Sequence, residues 1–268
     1  MNVEDTIKQV KQKKDKGDLF DILEARDILL NSGFIDNKNV ELQNAFYDIF
    51  PPSKEFLKEV NSSFKNLFSD DVSIRRKTSS YLEKQPRKSM NGYLQLWLKD
   101  PRTIDLLLKA LDDNDAKVLE NIILCLGNIA DRYNYNDLNI YHKLVDLYDK
   151  VSDNLKITIA QSIGSFHIKD KWDIILKTLN MTSTGKTYEI LGTVVFSHGE
   201  DMPIDMKVKF CSLFMNALLK ENKISDVTYS ILRALEVIGN ETTINDLKKI
   251  KKPALQKGIN ELINVLKK

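Results

Sequence analysis

Thr184-Gly185-Lys186-Thr187 has the residue types that end a phosphate-binding loop, in which backbone amides wrap a phosphate and a lysine reaches its outer oxygens. That loop needs a glycine ahead of four spacer residues, and a strand that feeds it. Here Asn180 stands at the glycine position and no strand pattern precedes it. The expectation is a turn between two helices, with Gly185 supplying a special backbone angle. Asp112, Asp113 and Asp115 suggest calcium chemistry, but such a loop alternates oxygen ligands around a central glycine and closes on a glutamate. Lys117 and Val118 occupy those places, so these carboxylates are read as caps for the start of a helix. His142, His167 and His198 have no ligand three or four residues on, which argues against zinc. Cys125 and Cys211 lie in apolar helical runs and read as core thiols. No catalytic residue, metal or cofactor is assigned, and an enzyme is not expected.

Residues suited to recognition are easier to find. The stretch Arg132-Tyr133-Asn134-Tyr135-Asn136, leading to Tyr141, sets rigid amphipathic rings beside hydrogen-bonding amides. Tyr133, Tyr135 and Tyr141 are therefore the expected contacts for a protein partner. Basic runs at Lys8 to Lys16, Arg75 to Lys77 and Lys248 to Lys252 are scattered along the chain and read mainly as solvated faces. Arg75, Arg76 and Lys156 are the residues that would touch phosphate if the partner were a nucleic acid.

These residues ride on a recurring phrase: an apolar helical stripe, an acidic turn, then Val or Ile with apolar residues four and eight places on. Its clearest copy runs Leu107, Leu108, Leu111, then Asp112 to Asp115, then Val118, Ile122, Leu126 and Gly127. A second holds Leu67, Phe68, Asp70, Asp71, Ile74, Arg75, Thr78 and Leu82, and a third Leu155, Lys156, Ile159, Ile163 and Gly164. Echoes follow at Val227, Ile231 and Leu235, and at Leu255, Ile259 and Ile263. Each helical pair has an apolar face that cannot be buried alone, so neighbours must stack. The expected pairs begin at about residue 54. An extra helix is expected near Ser89 to Leu98. Before them, Asp18 starts a helix carrying Leu19, Ile22 and Leu29, Gly33 stops it, and a second helix around Val40 to Ile49 ends at Pro51 and Pro52.

The phrase resembles the HEAT repeat, an apolar helix, an Asp-bearing turn and then Val-Arg on the second helix, with Ile74-Arg75 the best match. Val118-Leu119 lacks the arginine and Leu155-Lys156 keeps only its charge. The resemblance implies an all-α fold, an α-solenoid of stacked HEAT-like helical pairs over residues 53–268 with an N-terminal helical cap over residues 1–52. It leaves activity open, because HEAT proteins include scaffolds, transport receptors and a family of DNA glycosylases. Similarity to those glycosylases would imply a helical tryptophan with a carboxylate one turn on, and a ladder of Lys and Arg along the inner helices. Pro101 lies four residues beyond Trp97 and Leu176 four beyond Trp172, so both tryptophans are expected to pack between helices or meet a protein partner.

Composition fits this reading. The 268 residues are 42% hydrophobic and 29% charged, with ten Gly and six Pro. That is enough apolar surface for a core and too few breakers for a sheet-rich fold. The formal charge of +2 gives no overall field toward nucleic acid or anionic lipid. No apolar run approaches a membrane span, and the Lys-rich start lacks the apolar centre of a secretory signal. The expectation is a soluble cytoplasmic protein that binds a macromolecular partner, most plausibly a protein, with a nucleic-acid-binding and glycosylase-like protein as the alternative.

Overall fold

The computed structural model describes residues 2–16, 18–32, 40–49, 54–87, 97–182 and 184–267. Among them every regular element is helical. Gly33, Pro51, Pro52 and most of the expected helix near Ser89 lie outside the described residues. The chain forms two compact units, Met1–Tyr135 and Asn136–Lys268.

The first unit opens with α1 (Val3–Lys16), α2 (Leu19–Asn31) and α3 (Val40–Ile49), which gather a small apolar cluster of Val10, Ala25, Leu29, Leu42 and Phe46. Next come α4 (Lys54–Leu67), α5 (Val72–Lys84), α6 (Pro101–Ala110) and α7 (Ala116–Tyr133). The acidic turns start helices. Asp71 accepts from the Ser73 amide at 2.7 Å, and Asp115 from the amides of Lys117 and Val118 at 3.1 Å each. Each cap satisfies donors that have no partner inside the helix. From Asp115 the stripe Val118, Ile122 and Leu126 runs inward with no exposed surface. The α5 and α7 helices lie side by side, so successive copies of the phrase share one buried seam.

The second unit contains α8 (Leu138–Tyr148), α9 (Asp153–Ile163), α10 (Lys171–Met181), α11 (Gly185–His198), α12 (Ile204–Leu218), α13 (Asp226–Ile238), α14 (Glu241–Leu247) and α15 (Gln256–Leu266). Within it the even members α10, α12 and α14 follow one another in one layer, and the odd members α9, α11, α13 and α15 in the other. Ile175, Leu191, Phe210, Phe214, Ile231, Leu235 and Ile259 meet between the layers in one apolar core. Small residues set the spacing of the odd layer. A methyl group on Gly164 would meet Val194 Cγ1 at 2.3 Å, and one on Gly192 would meet the Ser230 carbonyl oxygen at 3.0 Å. Larger side chains there would hold α9, α11 and α13 further apart. Among the described residues no helix is long and apolar enough to cross a membrane.

Candidate functional site

The three tyrosines expected to meet a partner are placed inside their units. Tyr133 is 6% exposed, Tyr135 2% and Tyr141 4%. The reason lies in the end of α7. Asn134 adopts the left-handed conformation at φ 48°, and the Tyr135 amide returns to the Ala130 carbonyl at 3.1 Å, turning the chain back under its own helix. Lys99 completes that closure, donating to the Tyr133 carbonyl at 3.3 Å and lying 5.5 Å from the centre of the Tyr135 ring. In the second unit Tyr141 packs edge-on to Phe166 with centroids 5.9 Å apart. Burial pushes the phenols of Tyr133 and Tyr141 up to about 12. These rings fill cores and present no aromatic surface.

The basic residues assigned to the alternative partner are engaged with carboxylates and rings. Arg75 donates to both oxygens of Asp113, at 2.6 and 3.2 Å, and to the Ser69 carbonyl at 2.9 Å. Arg76 grips Asp115 at 2.7 Å, and this bond holds the Asp115 carboxyl down to about 2. The pair of arginines thus joins one copy of the phrase to the acidic turn of the next. In the second unit Lys156 lies 3.4 Å from Asp153 and 5.9 Å from the Tyr148 ring centre. The tryptophans are packed as expected. Trp97 is 7% exposed and meets Phe64 edge-on at 5.5 Å; Trp172 is 1% exposed and meets Phe210 edge-on at 5.9 Å. Lys171, also buried, lies 4.8 Å from the Trp172 ring centre and donates to the Phe166 carbonyl at 2.9 Å.

The Thr184-Gly185-Lys186-Thr187 turn is the start of α11. Thr184 Oγ1 accepts the Thr187 amide at 3.3 Å, which makes it a helix cap. Gly185 is the first helical residue and does not supply the special angle the sequence suggested. A methyl group there would instead meet Val227 Cγ2 at 3.3 Å. Lys186 is exposed.

The side chains best placed for recognition lie elsewhere in the second unit. Its core stripe on α13, through Ile231 and Leu235, leaves Tyr229, Arg233 and Glu236 on the opposite face at one-turn intervals. Arg233 stacks over the Phe196 ring of α11 at 4.0 Å, lies 6.0 Å from the Tyr229 ring centre, and donates to Glu236 at 2.9 Å. The guanidinium is thereby held flat, while Tyr229 remains 61% exposed. Beside this stack α13 and α15 part to form a groove of about 570 Å³, walled by Ile224, Leu232, Leu262 and Val265. Gly258 forms part of its floor, where an added methyl would come within 2.9 Å of Leu232 Cδ1. A second groove of about 390 Å³ between α12 and α14 is lined by Val208, Met215, Leu219 and Asn240 but holds neither an aromatic ring nor an arginine. The first groove can therefore take apolar side chains against its walls while Tyr229 and Arg233 supply stacking and directional hydrogen bonds. Sequence reasoning followed Val227, Ile231 and Leu235 inward and passed over the Tyr and Arg spaced one helical turn apart on the other face.

No protein-family model matches the chain, and no curated protein matches it in sequence. Solved structures do. An engineered protein of the Northeast Structural Genomics Consortium matches at TM-score 0.55 and 16% identity, over 78% of this chain and 96% of its own. A designed armadillo repeat protein matches at TM-score 0.50 and 15% identity, over 77% and 99%. A second engineered protein from the same consortium matches at TM-score 0.50 and 15% identity, over 92% and 70%. At this identity the likeness concerns architecture, and with the stacked pairs it establishes the fold as an all-α solenoid of helical repeats.

Proposed function

We propose that the chain is a non-catalytic binding protein that recognises another protein through the groove between α13 and α15. The observation that carries this reading is the exposed Tyr229 beside an Arg233 already fixed by Phe196 and Glu236. Large side chains whose rotamers are set before binding lose little entropy on association, and Tyr and Arg are the types that concentrate interface energy. The repeat architecture supports it, since stacked helices offer long rigid surfaces. In this reading the repeats are HEAT-like, residues 1–52 cap the array, and the protein works in the cytoplasm. The nucleic-acid alternative has less behind it, with Arg75 and Arg76 committed to Asp113 and Asp115 and both tryptophans buried.

The test is capture from a native extract on immobilised chain, wild type against Tyr229→Ala, each with and without nuclease. Truncating an aromatic anchor costs about 2 kcal/mol, roughly thirtyfold in affinity. A protein retained by the wild type in both samples and lost from Tyr229→Ala is the expected result. Retention that vanishes with nuclease, or is indifferent to Tyr229, refutes the proposal.

A further inference from the structure

The groove has an excess of positive charge at one end. The α13 and α15 helices enter it by neighbouring loops, which Lys252 ties together by donating to the carbonyls of Leu219 and, at 2.6 Å, Glu221. Thr228 fixes the first loop further, its hydroxyl donating to the Lys223 carbonyl at 2.9 Å. These loops carry the exposed lysines Lys220, Lys223, Lys248 and Lys251, and Lys257 stands on the groove wall itself. Among the described residues none of the five makes an ion pair. Glu221 and Asp226 are the acids nearby, too few to balance them, and Asp246 is taken by Lys249 at 2.7 Å. Further along the groove the charges are mixed: Arg233 pairs with Glu236 at 2.9 Å, Glu261 lies one helical turn beyond Lys257, and the exposed Lys267 follows the α15 wall. Between the ends run the apolar walls, with Ile224 54% and Val265 44% exposed.

We propose that the occupant of this groove is an acidic amphipathic helix of a partner protein, lying with its acidic end over the lysine loops and its apolar stripe against Ile224, Tyr229 and Val265. This rests on the groove reading above and adds the partner's chemistry. Ala254 to Val265 marks the length of the α15 wall, about 16 Å at helical rise, which matches some three turns of a bound helix. The charges set direction, since only the loop end carries an excess of one sign, and a helix reversed in the groove would take its carboxylates away from it. A duplex fits less well, because phosphates would gain nothing from the apolar walls.

The experiment is selection of sixteen-residue peptides from a phage-displayed random library on the full chain. The best synthetic peptides are then titrated by fluorescence anisotropy, alongside duplex DNA and phosphatidylserine vesicles. The expected winners carry several Asp or Glu at one end of a Leu- or aromatic-bearing stripe. They should weaken tenfold or more on Lys223→Glu with Lys257→Glu, and similarly on Tyr229→Ala, while the exposed positions leave thermal midpoints near wild type. Peptides lost on Tyr229→Ala but neutral or basic in composition overturn the acidic assignment and spare the groove. Peptides indifferent to Tyr229→Ala overturn the groove itself. Tighter binding to DNA or to vesicles than to any peptide overturns the choice of partner.

Discussion

Gly192→Val tests the packing that brings Phe196 of α11 under Arg233 of α13. A Cβ on Gly192 would lie 3.0 Å from the Ser230 carbonyl oxygen, 3.1 Å from its carbonyl carbon and 3.2 Å from Ser230 Cβ, where ordinary contact begins near 3.4 Å. Two of these atoms are backbone of the facing helix and cannot rotate away, so α13 must move, and the methyls of valine make the displacement larger. Overpacking of this kind costs about 1–3 kcal/mol, and replacing a helical glycine returns roughly half a kcal/mol. The net loss is about 0.5–2.5 kcal/mol. With an unfolding entropy near 2.1 cal/mol/K per residue, a unit the length of Asn136–Lys268 should melt about 2–9 °C lower. Differential scanning calorimetry reads this directly. Gly185→Ala is the control, because its Cβ meets only Val227 Cγ2, at 3.3 Å, and that side chain can turn. Its midpoint should stay where it is or rise slightly. A midpoint unchanged by Gly192→Val would refute the close approach of α11 and α13.

Leu126→Asp, at a position with no exposed surface, buries an unpaired carboxylate and should cost about 3 kcal/mol or more, read as a loss of helical circular dichroism or a collapse of the melting temperature. The Asp115 carboxyl is held down to about 2 by Arg76 and the first amides of α7. A folded value below the unfolded one gives stability that is full above about pH 4 and is lost as pH falls toward 2. The melting temperature should therefore drop across that window, and Asp115→Asn should melt lower at neutral pH with a shallower drop. Burial lifts the Tyr141 phenol to about 12. Its contribution is full below about pH 10 and lost as pH rises to 12, so Tyr141→Phe should flatten the fall in melting temperature over that alkaline range.

The fold was legible because its signal is repeated and local. The stripe Val118, Ile122 and Leu126, placed after Asp115, marks a capped helix with one buried face, and the structure buries that face completely. The candidate site was legible only in part. Tyr133 and Tyr135 have the composition of a contact loop, but the left-handed Asn134 folds their rings inward, and nothing in a single sequence states that angle. Arg75 and Arg76 read as a solvated basic run, or as phosphate ligands under the alternative partner, until the carboxylates of Asp113 and Asp115, nearly forty residues on, are seen against them. Tyr229 and Arg233 were the reverse case. Their spacing of one helical turn was visible, but their partners Phe196 and the α15 wall are distant in sequence, so the groove emerges only when three helices are packed.

The most direct measurement is photocrosslinking in a native extract with benzoylphenylalanine in place of Tyr229, compared with the same probe in place of Lys209 on α12 in the other layer. The account predicts a discrete protein adduct from position 229, formed equally with and without nuclease, and none from position 209. Adducts of equal yield from both positions, or a nuclease-sensitive adduct from 229, would contradict a protein-binding groove between α13 and α15.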